Sequence, residues 1–321
     1  MMKKASTKAI NLKMMFFTLT VGSISFTPVW ADLVRANDIV APQVIYDKDS
    51  RVESRLYKDE KFRELRKAVA IRVQDYRLEK RNDGSGLVDF SKITLEEMAP
   101  DMCTEERFKQ QYSLGNCTGF IVDEKTLVTA GHCMFSEVDC ESYKWAFGFE
   151  DNTEVLKEEN VYSCKKIISQ SFEYSETKVS DYAVIELDRP VKGIKPLKMR
   201  KFGRPLIGTN LVVIGHPMGL PLKTADGAKV SSLNEKERED IFGSLKLRKN
   251  HLEPNLDTYG GNSGSPVFNK RTGKVEGILI QGYEDFEWDE KEQCERSITL
   301  KGGLFNSYEK IMRINKIPAL K

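Results

Sequence analysis

The sequence predicts an all-β body, a barrel or a sandwich, and three observations carry that reading. From Cys117 onward the chain is a series of short apolar or alternating runs: Thr118–Val122, Lys125–Ala130, Trp145–Phe149, Tyr182–Leu187, Leu211–Ile214, Pro266–Phe268 and Lys274–Ile280. Gly, Asn, Asp and Pro separate them. One stretch alone in this region has helical spacing: Leu304, Tyr308, Ile311 and Met312 fall at i, i+4, i+7 and i+8 and predict a C-terminal helix. Close-set strands without intervening helices argue against an α/β sheet.

Residues 32–100 read as an N-terminal extension. Val44–Tyr46 is a short strand candidate, and Tyr57–Lys67 is charge-rich with Phe62 and Leu65 interspersed, as in a surface helix. Ala68–Val73 is apolar enough for a strand, and Asn82–Gly86 is a turn signal. Thr94 with Glu97 forms a capping-box pattern for one short helix, stopped by Pro100.

Met1–Ala31 reads as a secretory signal. Lys3, Lys4, Lys8 and Lys13 form a positive start, and Met14–Phe26 is an apolar run of 13 residues, too short to span a bilayer. Val29 and Ala31 place small residues for cleavage after Ala31; an uncleaved anchor is the alternative. The expected location is secreted or periplasmic. The whole chain of 321 residues carries 50 Lys+Arg and 48 Asp+Glu, and loss of the signal leaves 46 basic side chains against 48 acidic ones. That balance makes no electrostatic case for nucleic acid, nor for a polybasic membrane surface. With 40% hydrophobic residues the chain is able to build a core.

Export gives the six cysteines a partner chemistry, since they pair outside a reducing cytosol. Six allow 15 connectivities, so spacing alone does not choose. A zinc site is disfavoured by three histidines and no CxxC pair.

Three segments carry chemistry: Thr129-Ala130-Gly131-His132-Cys133, Ser180-Asp181-Tyr182-Ala183-Val184-Ile185, and Gly260-Gly261-Asn262-Ser263-Gly264-Ser265-Pro266. A serine hydroxyl is a poor nucleophile at neutral pH. It needs an imidazole to take its proton and a buried carboxylate to hold the imidazole's tautomer. Glycines beside a serine let the backbone turn tightly and aim N–H groups, here those of Gly261 and Ser263, at one oxyanion.

These residues resemble the chymotrypsin-like (trypsin-like) serine proteases, in which the order is His, Asp, Ser. The resemblance spans about Cys117–Lys321, and GGNSGSPVF looks most like the bacterial glutamyl-endopeptidase branch. VIYDKDSRVE at Val44–Glu53 also looks like the start of that branch's mature enzymes, which implies a propeptide at residues 32–43. The resemblance implies two six-stranded antiparallel β-barrels within residues 101–321, with a cleft between them. It implies Ser263 as nucleophile, His132 as base and Asp181 as orienting acid. Asp123, Asp139 and Asp188 are nearby alternatives, and Asp181 is preferred because YAVIEL follows it directly. His216 and His251 are expected to be structural or exposed. A Cys117–Cys133 disulfide is carried over from the family; Cys140–Cys164 and Cys103–Cys294 are the expected remainder. No metal or organic cofactor is implied.

The primary pocket is expected between Leu256–Gly260 and Ile278–Gly282, with Asp257, Thr258, Leu279, Ile280 and Gly282 facing substrate. Asp257 stands six residues before Ser263, where trypsins hold a floor carboxylate, so cleavage after Arg or Lys is expected ahead of small apolar residues and Glu. Three positions depart from family patterns. Leu279 replaces a histidine of the glutamyl branch, Ile280 replaces a serine that supports the catalytic acid, and Asn262 replaces the aspartate of trypsin-type zymogen activation. A narrow processing protease and a non-catalytic peptide-binding barrel are the rival readings.

Overall fold

The computed structural model describes residues 45–175, 178–231, 250–282, 285–301 and 309–321. Met1–Ile39 and Val40–Lys321 separate as two units, and every described residue belongs to the second. The signal and propeptide expectations therefore lie outside the described residues, as do Leu304 and Tyr308.

Six strands close into an antiparallel barrel. Around it run Val161–Ser175, Lys178–Leu187, Thr126–Thr129, Cys117–Ile121, Val69–Gln74 and Tyr143–Phe147, which returns to the first. Closure leaves no edge to protect, and its interior is filled by side chains such as Trp145, Leu127 and Phe147, each at most 1% exposed. The Val69–Gln74 strand comes from the segment read as an extension and pairs on both sides within the barrel. Its run of five buried residues reflects packing on both faces.

The second half is a different object from the expected second barrel. Among the described residues it is an open seven-stranded sheet in the order His251–Leu252, Lys310–Arg313, Val275–Gln281, Pro266–Asn269, Asn210–Gly215, Lys223–Lys229 and Val52–Glu53. The expected C-terminal helix is also corrected. Ile311 and Met312 belong to the Lys310–Arg313 strand, where they pair with Leu279 and Ile278 on one side and Leu252 and His251 on the other. A strand buried on both faces needs consecutive apolar residues, and such a run reads as helical spacing when neighbouring residues are added to it.

The short elements follow local chemistry. The helix at Glu60–Leu65 starts where the Asp59 side chain accepts from the Lys61 amide. It buries Phe62, whose ring meets Phe268 edge-on at 5.7 Å. Thr94 and Glu97 make the expected reciprocal capping box at Leu95–Met98. Three disulfides join Cys103 to Cys294, Cys117 to Cys133 and Cys140 to Cys164, each of a kind that contributes about 2–4 kcal/mol.

Candidate active site

The barrel brings His132 and Asp181 together. Thr129 pairs with Ala183 across the sheet, so Gly131 falls opposite Asp181 as the chain leaves its strand into the turn Gly131–Cys133. A Cβ on Gly131 would lie 2.1 Å from the Ser171 carbonyl, so no larger residue fits there. The Asp181 carboxylate is fully buried. Its Oδ1 accepts the amides of Gly131 (2.5 Å) and His132 (3.0 Å). Its Oδ2 lies 2.7 Å from His132 Nδ1 and accepts from the Tyr174 hydroxyl at 2.8 Å. Four contacts replace the water a buried carboxylate loses.

This geometry sets the imidazole's tautomer. A carboxylate only accepts, so Nδ1 carries the hydrogen and Nε2 presents a lone pair. Nε2 is buried and has no hydrogen-bond partner among the described residues. Tyr174 was not legible as a functional residue. It stands two residues beyond Phe172, the residue paired with Asp181, and so shares its sheet face as a diagonal neighbour. It supplies the donor missing from Ile280. Burial and the Asp181 charge push the Tyr174 hydroxyl's pKa upward, so it remains a donor.

Ser263 lies in a tight turn held by Asn262 N to Tyr259 O (3.1 Å) and Ser265 N to Asn262 O (2.8 Å). Gly261 adopts φ +88°, where a Cβ would meet the His216 carbonyl at 2.7 Å. The Ser263 carbonyl accepts the Thr118 amide at 2.8 Å and lies 3.8 Å from Cys133 Sγ. The serine turn is thus pressed against the Cys117–Cys133 bridge beside His132. Among the described residues the amides of Gly261 and Ser263 make no hydrogen bond. Cys117, His132 and Cys133 also cluster within 4.8 Å, but both sulfurs are spent in one disulfide, which leaves a single nitrogen as a metal ligand.

The expected substrate residues divide. Asp257 is buried: its Oδ1 accepts the Tyr46 amide at 2.7 Å and its Oδ2 the Ser50 amide at 2.8 Å. Both oxygens anchor the N-terminal segment through main-chain amides. Leu279 packs in the core of the open sheet and Ile280 in the core shared with the barrel. Thr258 Oγ1 is buried without a hydrogen-bond partner among the described residues, and Gly282 is buried just past the end of its strand. Beside this wall Arg51, 2% exposed, stacks 3.6 Å over Tyr259 and bonds Asp49 twice, at 2.9 and 2.8 Å. Asp285 accepts the Gly260 amide at 3.0 Å, and burial pushes its carboxyl up to about 8. His216 is buried, as expected of a structural residue, and bonded through Nδ1 to the Leu220 carbonyl at 2.9 Å.

A profile of the trypsin-like peptidase domain matches residues 117–278. The chain belongs to the trypsin-like peptidase family. A glutamyl endopeptidase of Bacillus licheniformis is 28% identical over 172 residues, which cover 51% of this chain and 48% of that protein. The match thus spans about half that relative's length. Among solved structures, a Glu endopeptidase in complex with MPD aligns at TM-score 0.46 and 15% identity over 86% of this chain and 95% of that one. Neuropsin, a serine protease expressed in mouse brain, aligns at 0.44 and 17% over 63% and 86%.

Proposed function

We propose that the chain is an exported serine endopeptidase that cleaves polypeptides through an acyl-enzyme. Ser263 Oγ attacks the scissile carbonyl carbon, and His132 Nε2 takes the hydroxyl proton. The same nitrogen then protonates the leaving amine, and water repeats the sequence to release the acid. Asp181 holds the ring and stabilises the imidazolium that forms. The amides of Gly261 and Ser263 receive the oxyanion, a role whose loss commonly costs ~10²–10³ in turnover. One observation carries the reading: a buried carboxylate with four contacts fixes His132 so that an unpartnered nitrogen remains beside the serine turn.

For specificity, the bonding of Asp257 to main-chain amides counts against an Arg/Lys preference. The name of the Bacillus licheniformis relative supports cleavage after Glu instead. Leu279 stands where the glutamyl branch has a histidine, so the carboxylate-binding group differs here, and the unpartnered Thr258 hydroxyl is the pocket-side donor. Three disulfides suit an oxidising compartment, with residues 1–31 as signal and residues 32–43 removed before Val44. N-terminal sequencing of the mature protein checks that last point; a start at Asp32 contradicts it.

The test is digestion of a denatured peptide library, with Ser263→Ala as control. Ser263-dependent cleavage mainly after Glu is expected. Cleavage mainly after Arg or Lys overturns the specificity, and equal cleavage by the alanine variant overturns the mechanism.

A further inference from the structure

We propose that the face built around residues 195–208 docks the protein onto an anionic lipid bilayer. The near-neutral total charge averages over this face. From Arg189 through Asn210 the chain carries seven Lys or Arg and no Asp or Glu. Three adjoining concavities flank the segment and share Arg200 and Lys61. Eleven of their lining residues are Lys or Arg, and two, Asp59 and Glu64, are acidic. Some of these cations are spent internally, as Arg200 is on Glu276 and Lys270 on Asp226. Lys195, Lys198, Lys201 and Arg271 are exposed and make no ion pair among the described residues.

Large apolar side chains project from the same segment. Phe202 is 87% exposed, Leu206 80% and Ile207 57%. Single exposed apolar residues are ordinary; three within six positions are a patch. The loop is pinned, so these side chains do not fold back onto the body. The Gly203 carbonyl accepts from Arg313 Nη2 at 2.7 Å and Asn315 Nδ2 at 2.8 Å. The Arg200 amide bonds Val275 O at 2.9 Å, and the Gly208 amide bonds Val230 O at 2.7 Å.

A soluble polyanion would satisfy the cations and leave the three apolar side chains in water. A bilayer satisfies both: the lysines meet anionic headgroups, and Phe202, Leu206 and Ile207 enter the headgroup–acyl boundary. Each basic residue held near such a surface raises partitioning about fivefold. The face shares no residue with the candidate active site, so it would concentrate the protein at a surface without changing the bond-making groups.

The experiment is sedimentation of the full chain with phosphatidylglycerol/phosphatidylcholine vesicles, with phosphatidylcholine vesicles, and with polyphosphate as competitor. One variant carries Phe202→Ser, Leu206→Ser and Ile207→Ser; another carries Lys198→Glu, Lys201→Glu and Arg271→Glu. Residues 14–26 are common to all, so differences between variants report this face alone. All six positions are exposed, and thermal melts check that the variants fold. Binding to the anionic vesicles is expected to exceed that to neutral ones, to weaken as salt rises, and to drop about tenfold or more in each variant. Vesicle binding unchanged in the serine variant but abolished by polyphosphate would mark a site for soluble polyanions and overturn the proposal. Equal binding by all three proteins would overturn it too.

Discussion

The two halves of the molecule hold their shares of the site in different ways. The barrel closes on itself, and its own register places Gly131, His132, Tyr174 and Asp181 around one carboxylate. The open sheet supplies Ser263 and the pocket wall but borrows support from the N-terminal segment. Val52–Glu53 forms its edge strand, Asp257 grips the Tyr46 and Ser50 amides, and Arg51 lies on Tyr259. Lys223, pulled down to about 8 by burial, bonds Glu53 at 2.8 Å and Gln111 at 2.6 Å. The proposed proton-transfer groups, His132 and Asp181, are therefore built into a closed unit, whereas the proposed binding wall leans on the N-terminal segment. Perturbing the barrel side should change turnover; perturbing that segment should change substrate binding and stability.

The largest effect is expected at the barrel's acid. Asp181→Asn keeps the shape but lets the imidazole take the wrong tautomer, so kcat should fall by about 10⁴ with KM little changed. Steady-state kinetics on a peptide substrate measures both. Tyr174→Phe removes one bond to the same carboxylate, worth about 1.5–3 kcal/mol, and is expected to lower kcat by about tenfold. A Tyr174→Phe enzyme with unchanged kcat would show that the acid does not need this donor.

On the other side, Asp257→Asn turns one acceptor into a donor facing an amide. It should cost about 1–3 kcal/mol of stability and raise KM several-fold while kcat holds. Equal losses in kcat and KM would erase the contrast between the halves. If the same change instead abolished cleavage after Arg or Lys, Asp257 would be a pocket floor after all.

The smallest effect is a pH dependence. Burial lowers the His216 pKa to about 3, below the value near 6.5 of an unfolded histidine. The unfolded chain then binds a proton that the folded one refuses. Stability from this group is complete above 6.5 and is lost as pH falls through that range toward 3. Urea midpoints across this range should decline less in His216→Gln than in the parent.

The contact between His132 and Asp181 was legible because His132 sits in a motif whose chemistry requires a carboxylate partner, and Asp181 directly precedes an alternating strand. Tyr174 was not, because its role exists only in the hairpin register that sets Phe172 against Asp181. The bonds of Asp257 were hidden for a related reason: its distance from Ser263 was visible, but a segment some 210 residues earlier bonds its oxygens. Ile311 and Met312 carried a spacing compatible with a helix, and pairing on both sides made them a strand. Short-range rules found strands, caps and turns; long-range pairing decided which strands closed a barrel and which stayed open.

The most direct measurement is fluorophosphonate labelling of the native protein, with the modified residue mapped by mass spectrometry and the rate followed against pH. Stoichiometric modification of Ser263, at a rate that falls toward acid pH and is nearly abolished in Asp181→Asn, is the expected result. Protein left unmodified, or modified at another residue at the same rate in that variant, would contradict the account.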